Sequence, residues 1–259
     1  MGLRLALCQY KAETGNVGAN LSKIMSVLNQ TRSDVYIFPE MFLTGCDAEY
    51  ALLADNVLRA VDRIRLWCME KDIAVLVGSP SYCPDGMRNS LLFITSKDVV
   101  QYDKLYLAHS GTYSEKDFVR GDRPVLCSFK DMTFGLSIGY DIFFPEIYRN
   151  YALSGADVNI CVSASAAPSE QYFERVIPAR SLENLIYTVF VNGAGTSGDP
   201  KHCGMSRLVG PLGNTLSSLG GDEGTLCVYV DREVVGNARK ENKHLEDIRT
   251  DIKWIRNQK

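Results

Sequence analysis

Two charged side chains and one glycine-containing turn stand where chemistry could be done. Glu40 closes the run Ile37-Phe38-Pro39-Glu40, Lys104 closes Gln101-Tyr102-Asp103-Lys104, and Ile138-Gly139-Tyr140-Asp141 closes a third β-rich run. Each lies at a strand end or in the loop just after one, where α/β folds gather functional groups. A carboxylate and an ammonium are the types that move a proton and meet developing negative charge. Taken singly, each has a plainer reading, because a Glu after a strand is commonly a solvated cap and a lone Lys is more often solvated still. Their joint context decides between the readings.

The elements that must position these residues alternate short β-rich runs with amphipathic helices, the pattern of a layered α/β domain. Leu3 to Gln9 reads as a first strand, and Leu21, Ile24, Met25 and Leu28 then share one helix face. Val35 to Phe38 is a second buried strand, Val57, Val61, Ile64 and Cys68 mark a second helix, and Ile73 to Val77 a third strand. The Asp85-Gly86 turn signal precedes a strand from Ser90 to Thr95, which returns as Val99 to Tyr102. Strands at Phe134 to Ile138, Val158 to Val162 and Tyr187 to Val191 are separated by a short helix from Glu146 and a longer one at about Tyr172 to Asn184. Strands near Ser206 to Val209 and Thr225 to Val230 close the second half of the fold. Residues 232–259 are polar with sparse apolar positions, a tail expected on the surface or at a dimer interface.

Composition narrows the partners without naming one. The 259 residues, 46% apolar and 23% charged, read as a single domain over 1–259. A formal net charge of -3 with scattered basic residues predicts no nucleic-acid partner. The first ten residues read as a strand rather than a signal peptide, and no apolar run reaches the length of a membrane span. Eight cysteines without a CxxC pair predict reduced thiols in a cytoplasmic protein, and no metal site. His109, His202 and His244 fit no metal or triad pattern and read as structural.

The stretches Phe38 to Gly45, Tyr102 to Leu107 and Ser137 to Glu146, in this order and at these separations, resemble the three signatures of the nitrilase (carbon-nitrogen hydrolase) superfamily. Glu115-Lys116-Asp117-Phe118 with Gly121, Ala156-Asp157, Ala179-Arg180 with Glu183-Asn184, and Cys203-Gly204-Met205-Ser206 extend the likeness. It implies an α-β-β-α sandwich of two mixed sheets flanked by helices, and a homodimer or higher homo-oligomer paired through helices. The implied activity is hydrolysis of non-peptide C–N bonds in small linear amides or N-carbamoyl compounds, by Glu-Lys-Cys chemistry without metal or organic cofactor. In that chemistry a thiolate attacks the amide carbon and a Glu shuttles the proton. Carried over by position, Glu40 is the general base and acid, Lys104 and the backbone N–H of Tyr140 are the oxyanion donors, and Glu115 is a second acidic residue that orients Lys104 and substrate.

Gly139 breaks the pattern, because the family places its nucleophilic cysteine immediately before the Tyr-Asp pair. Deleting the nucleophile of a serine protease lowers kcat by about 10⁶, so thioester turnover is not expected of this chain. Natural loss leaving a binding or scaffold protein, deliberate replacement of a parental cysteine, and direct attack by water activated by Glu40 are the three explanations. Cys161 reads as strand core and Cys46 as pocket wall rather than as substitute nucleophiles. Candidate substrate-binding residues are Phe42, Cys46, Tyr113, Phe143, Phe144, Ser163 and Ala164, with Tyr172 beside them. Their mixture of aromatic and small groups points to a small, fairly apolar acyl group. Arg120, Arg175 and Arg207 read as surface charges.

Overall fold

The computed structural model describes residues 2–108, 115–166, 169–195 and 202–252. Strands β1 (Gly2–Gln9), β2 (Val35–Ile37), β3 (Ala74–Cys83), β4 (Gly86–Ile94), β5 (Val99–Asp103) and β12 (Gly224–Asp231) form one sheet in the order β12-β1-β2-β3-β4-β5. Strands β6 (Leu126–Phe129), β7 (Met132–Ile138), β8 (Val158–Ser163), β9 (Tyr187–Asn192), β10 (Arg207–Val209) and β11 (Thr215–Ser218) form the other, in the order β11-β10-β9-β8-β7-β6. Both sheets are mixed: β1, β2 and β3 run parallel in the first, and β7, β8 and β9 in the second.

Alternation within each strand decides what its two faces meet. From β1, Leu3, Leu5 and Leu7 pack into the inter-sheet core with Phe134, Leu136 and Ile138 of β7. Ala6 and Cys8 turn the other way, against Ile24 of helix α1 (Val17–Gln30) and Ile64 of helix α2 (Tyr50–Lys71). A strand covered on both faces must be apolar on both, which is why β1 reads as a continuous hydrophobic run. On the second sheet, Phe190 of β9 meets Phe173 of helix α4 (Glu170–Leu182) at 4.8 Å between ring centroids. Tyr148 and Tyr151 of helix α3 (Pro145–Leu153) are buried beside it. The result is the expected α-β-β-α sandwich.

Two local findings differ from the sequence expectations. The strand expected over Ile73 to Val77 runs to Cys83, because β3 and β4 continue as a hairpin whose register reaches Cys83↔Gly86 around a Pro84-Asp85 turn. The polar tail from Arg232 begins as a helix, α5 (Arg232–Glu241), whose first turn is capped by the Asp231 carboxylate accepting the Glu233 N–H at 3.0 Å. Only Val235 and Ala238 of α5 are buried, so the apolar signal was too sparse to stand out. Arg239 donates to the Ala156 carbonyl at 3.0 Å and Arg232 pairs with Asp157 at 3.2 Å, tying α5 to the second sheet. Among the described residues, no helix is long and apolar enough to cross a membrane.

Parallel strands side by side bring their carboxyl ends to one edge of each sheet. Glu40 follows β2, Lys104 follows β5, Gly139 follows β7 and Ala164 follows β8, so both sheets deliver their site residues to the same end of the sandwich.

Candidate active site

Glu40 sits in a tight turn that crosses over β3. The Gly78 N–H donates to the Pro39 carbonyl at 3.1 Å, and a Cβ on Gly78 would lie 2.3 Å from the Met41 nitrogen, so only glycine admits this crossing. Met41 takes a left-handed conformation, φ 54°, directly after Glu40, a strained geometry of the kind held where surroundings over-determine it. Lys104 is fixed by its backbone, which donates to the Asn89 carbonyl at 2.9 Å and accepts from the Gly121 N–H at 2.8 Å.

The side chains then close into a ring. Lys104 Nζ donates to Glu40 Oε1 at 2.8 Å and to Glu115 Oε1 at 3.0 Å, with Glu115 Oε2 also 2.8 Å away. Asn89 Nδ2 donates to the same two oxygens, Glu40 Oε1 and Glu115 Oε1, each at 2.7 Å. The remaining carboxylate oxygens meet backbone: Glu40 Oε2 accepts from the Ala164 N–H at 2.9 Å, and Glu115 Oε2 from the Ala108 N–H at 2.6 Å. All four side chains are buried. Burial alone would push the Lys104 ammonium down, but the Glu40 and Glu115 carboxylates outweigh it and hold its pKa above the usual lysine value. One cation between two carboxylates leaves the ring formally negative by one charge.

Gly139 opens a 3-10 turn, Gly139–Phe143, at φ +48°. A Cβ built there would point straight into the ring, 2.9 Å from Glu40 Oε2 and 3.3 Å from Lys104 Nζ. The turn is held from beneath by Asp141, which accepts from Tyr102 Oη at 2.6 Å, the Ile138 N–H at 2.9 Å and the Tyr106 N–H at 2.9 Å. Burial lifts the Asp141 carboxyl to about 6, against the opposing pull of Tyr102 and Lys104. Tyr140 lies at the start of the turn, where backbone N–H groups have no partner within the turn itself.

Of the expected pocket residues, Phe42, Cys46 and Ala164 line a cavity of about 300 Å³ beside Glu40. Lys11, Asp47 and His202 line it too, and the sequence reading had assigned none of them to the site. Lys11 and Asp47 lie in loops after β1 and after the Glu40 turn, and His202 in the segment before β10. Burial lowers the His202 pKa, with Glu40 opposing and Lys11 reinforcing the shift. Phe143 and Phe144 are not among the residues lining this cavity. They join an aromatic cluster in which Phe144 stacks on Tyr106 at 3.4 Å and meets Tyr140 at 5.3 Å, while Phe143 meets Phe173 at 6.1 Å. Ser163 is buried, its hydroxyl 2.7 Å from Ser165 Oγ. Tyr113 lies outside the described residues, and Tyr172 is exposed.

Burial disfavours the thiolate form of both neighbouring cysteines. Burial, with Glu40 adding to it, pushes Cys46 well above the usual thiol range, and burial pushes Cys161 up to about 12. Cys161 Sγ lies under the turn, 3.9 Å from the Gly139 carbonyl. Among the described residues, no three His, Cys, Asp or Glu side chains converge as a metal-holding group. Asn89 is the member of the ring that sequence reasoning missed. Its only signal was its place in the polar run Arg88-Asn89-Ser90, just before the apolar part of the strand.

Known proteins resemble this chain along nearly its whole length. A hydrolase encoded in the pqqF 5' region of Pseudomonas protegens is 29% identical over 258 residues, covering 96% of this chain and 90% of that protein. An (R)-stereoselective amidase of a Pseudomonas species is 29% identical over 254 residues, covering 95% of this chain and 92% of that protein. Among solved structures, a glutamate-to-glutamine mutant of a Nesterenkonia amidase, carrying acrylamide added at its active site cysteine, superposes with a TM-score of 0.79. It is 26% identical and covers 92% of this chain and 97% of that one. Residues 4–240 match the carbon-nitrogen hydrolase family, and the chain belongs to that family.

Proposed function

We propose that the ring and turn form the centre of an amidase-type hydrolase of small linear amides or N-carbamoyl compounds, from which this chain lacks the nucleophile. The observation that carries the reading is the direction of the missing side chain: Cβ at position 139 points between Glu40 Oε2 and Lys104 Nζ. A thiol there attacks the amide carbon, and Glu40 takes the thiol proton and returns it to the leaving amine. Lys104 and the Tyr140 N–H meet the oxyanion, Glu115 holds Lys104, and water then frees the acid. The active site cysteine named for the Nesterenkonia amidase, and the amidase activity named for the Pseudomonas relative, support this assignment. As the chain stands, the thioester route is closed.

Ammonia release from a panel of small amides and N-carbamoyl compounds tests this, comparing the chain with its Gly139→Cys variant. Turnover by the variant alone is the expected result. Silence from both, across the panel, rejects the hydrolase reading and leaves a ligand-binding or scaffold protein. One observation favours that second reading: the ring is a buried network in which Lys104 pairs with both carboxylates, which a binder keeps for structural reasons alone. A homodimer formed on the α4 side is also proposed, supported by the exposed Tyr172, Leu182, Leu212 and Leu216, and sedimentation equilibrium tests it.

A further inference from the structure

We infer that Asn89 is a positioning residue that makes Glu40 a one-sided base, occupying Oε1 so that the travelling proton is carried on Oε2. This role rests on the proposed function of Glu40. An amide NH₂ carries two donors and no charge. Asn89 directs both at carboxylates, one to Glu40 Oε1 and one to Glu115 Oε1, each at 2.7 Å. Lys104 Nζ bonds the same two oxygens, so Glu40 Oε1 accepts from two donors at once. Oε2, which accepts the Ala164 N–H at 2.9 Å but meets neither Asn89 nor Lys104 in these bonds, is the oxygen turned toward position 139, 2.9 Å from the Cβ built there. The backbone of Asn89 contributes as well, because its carbonyl holds the Lys104 N–H at 2.9 Å.

The chemistry requires an uncharged donor at this place. Two carboxylates bonded to common donors repel, and without relief one of them retains a proton. A second lysine in place of Asn89 would relieve the repulsion but would cancel the ring's single negative charge and weaken Glu40 as a base. An apolar side chain would leave Lys104 alone to offset the repulsion. An amide relieves it without changing the charge, and its place on β4, in the middle of a paired strand, fixes where both donors aim.

The test uses the Gly139→Cys protein and reads pH profiles, which a merely structural role would not move. Asn89→Leu in that background is expected to shift the acid limb of kcat/KM for an amide upward by about one unit and to lower kcat about tenfold, with KM changed less than twofold. Asn89→Thr, which keeps one donor, is expected to fall between. Alkylation of the introduced thiol by iodoacetamide needs no amide substrate, and its rate profile is expected to shift upward in the same order. If amide turnover is absent but the alkylation profile shifts, the proposed hydrolase fails and the role of Asn89 stands. If Asn89→Leu does not fold, Asn89→Thr alone decides. Unmoved limbs in the folded variants, with kcat reduced only in step with the folded fraction, overturn the inference.

Discussion

The ring around Lys104 and the turn at Gly139 touch each other, yet they respond to the loss of a side chain in opposite ways. Each ring member neutralises or satisfies another, so removing one strands a buried charge. The turn is held by Asp141 and its three donors, none of which involves the side chain at position 139. A nucleophile at 139 can therefore disappear with little effect on the fold, whereas Glu40, Lys104 and Glu115 cannot. Their persistence in this chain is explained by burial and pairing whether or not catalysis continues. Buried carboxylates and a lysine that satisfy one another are weaker evidence of activity than they look.

The largest expected effect breaks the ring. Lys104→Met leaves two buried carboxylates facing each other and is expected to lower stability by about 3–5 kcal/mol, read by urea unfolding. A loss below 1 kcal/mol would show that the ring tolerates damage as well as the turn does. Next, Asp141→Asn turns an amide donor toward an N–H or hydroxyl donor that the carboxylate accepted, and a loss of about 2–3 kcal/mol is expected in the same assay.

Gly139→Ala sharpens the contrast. Its left-handed φ and the approach to the Glu40 Oε2 held by the Ala164 N–H set the expected penalty at about 1–2 kcal/mol in thermal unfolding. A penalty matching that of Lys104→Met would remove the distinction between the two regions. The smallest effect is a slope. The folded Asp141 carboxyl, raised from 3.8 to about 6, binds a proton that the unfolded chain has already released. Its contribution to stability is therefore full below pH 3.8 and lost as the pH rises through about 6. Comparing the pH dependence of unfolding for the chain and for Asp141→Asn isolates it: the variant should lack this downward component.

Much of this site was legible in the sequence because its residues stand at strand ends inside contiguous signatures. Glu40, Lys104 and Gly139 were each marked by neighbours in the chain, and the alternation of strands and helices fixed the layers. Asn89 was hidden because nothing local distinguishes an amide aimed at two carboxylates from one that merely interrupts a strand. Lys11 and His202 reach the cavity from loops far apart in sequence, and only the packing of the two sheets brings them together. Phe143 and Phe144 follow the Gly139 turn and lie in a cluster with Tyr106, Tyr140 and Phe173, apart from the cavity beside Glu40. Helix α5 depends on a cap and two buried residues, too few apolar positions to stand out in a polar stretch.

The pairing of β1 with β12, from Gly2↔Asp231 to Gln9↔Gly224, has a temporal consequence. Strand β1 lacks one of its two neighbours until residues more than two hundred positions later have been synthesised. Gln9 at its end waits equally long, since it bonds the Ser206 N–H and the carbonyls of Gly220 and Asp222. Contacts of such long sequence separation slow folding, and in this chain they leave one edge of an apolar strand unpaired until β12 has been made.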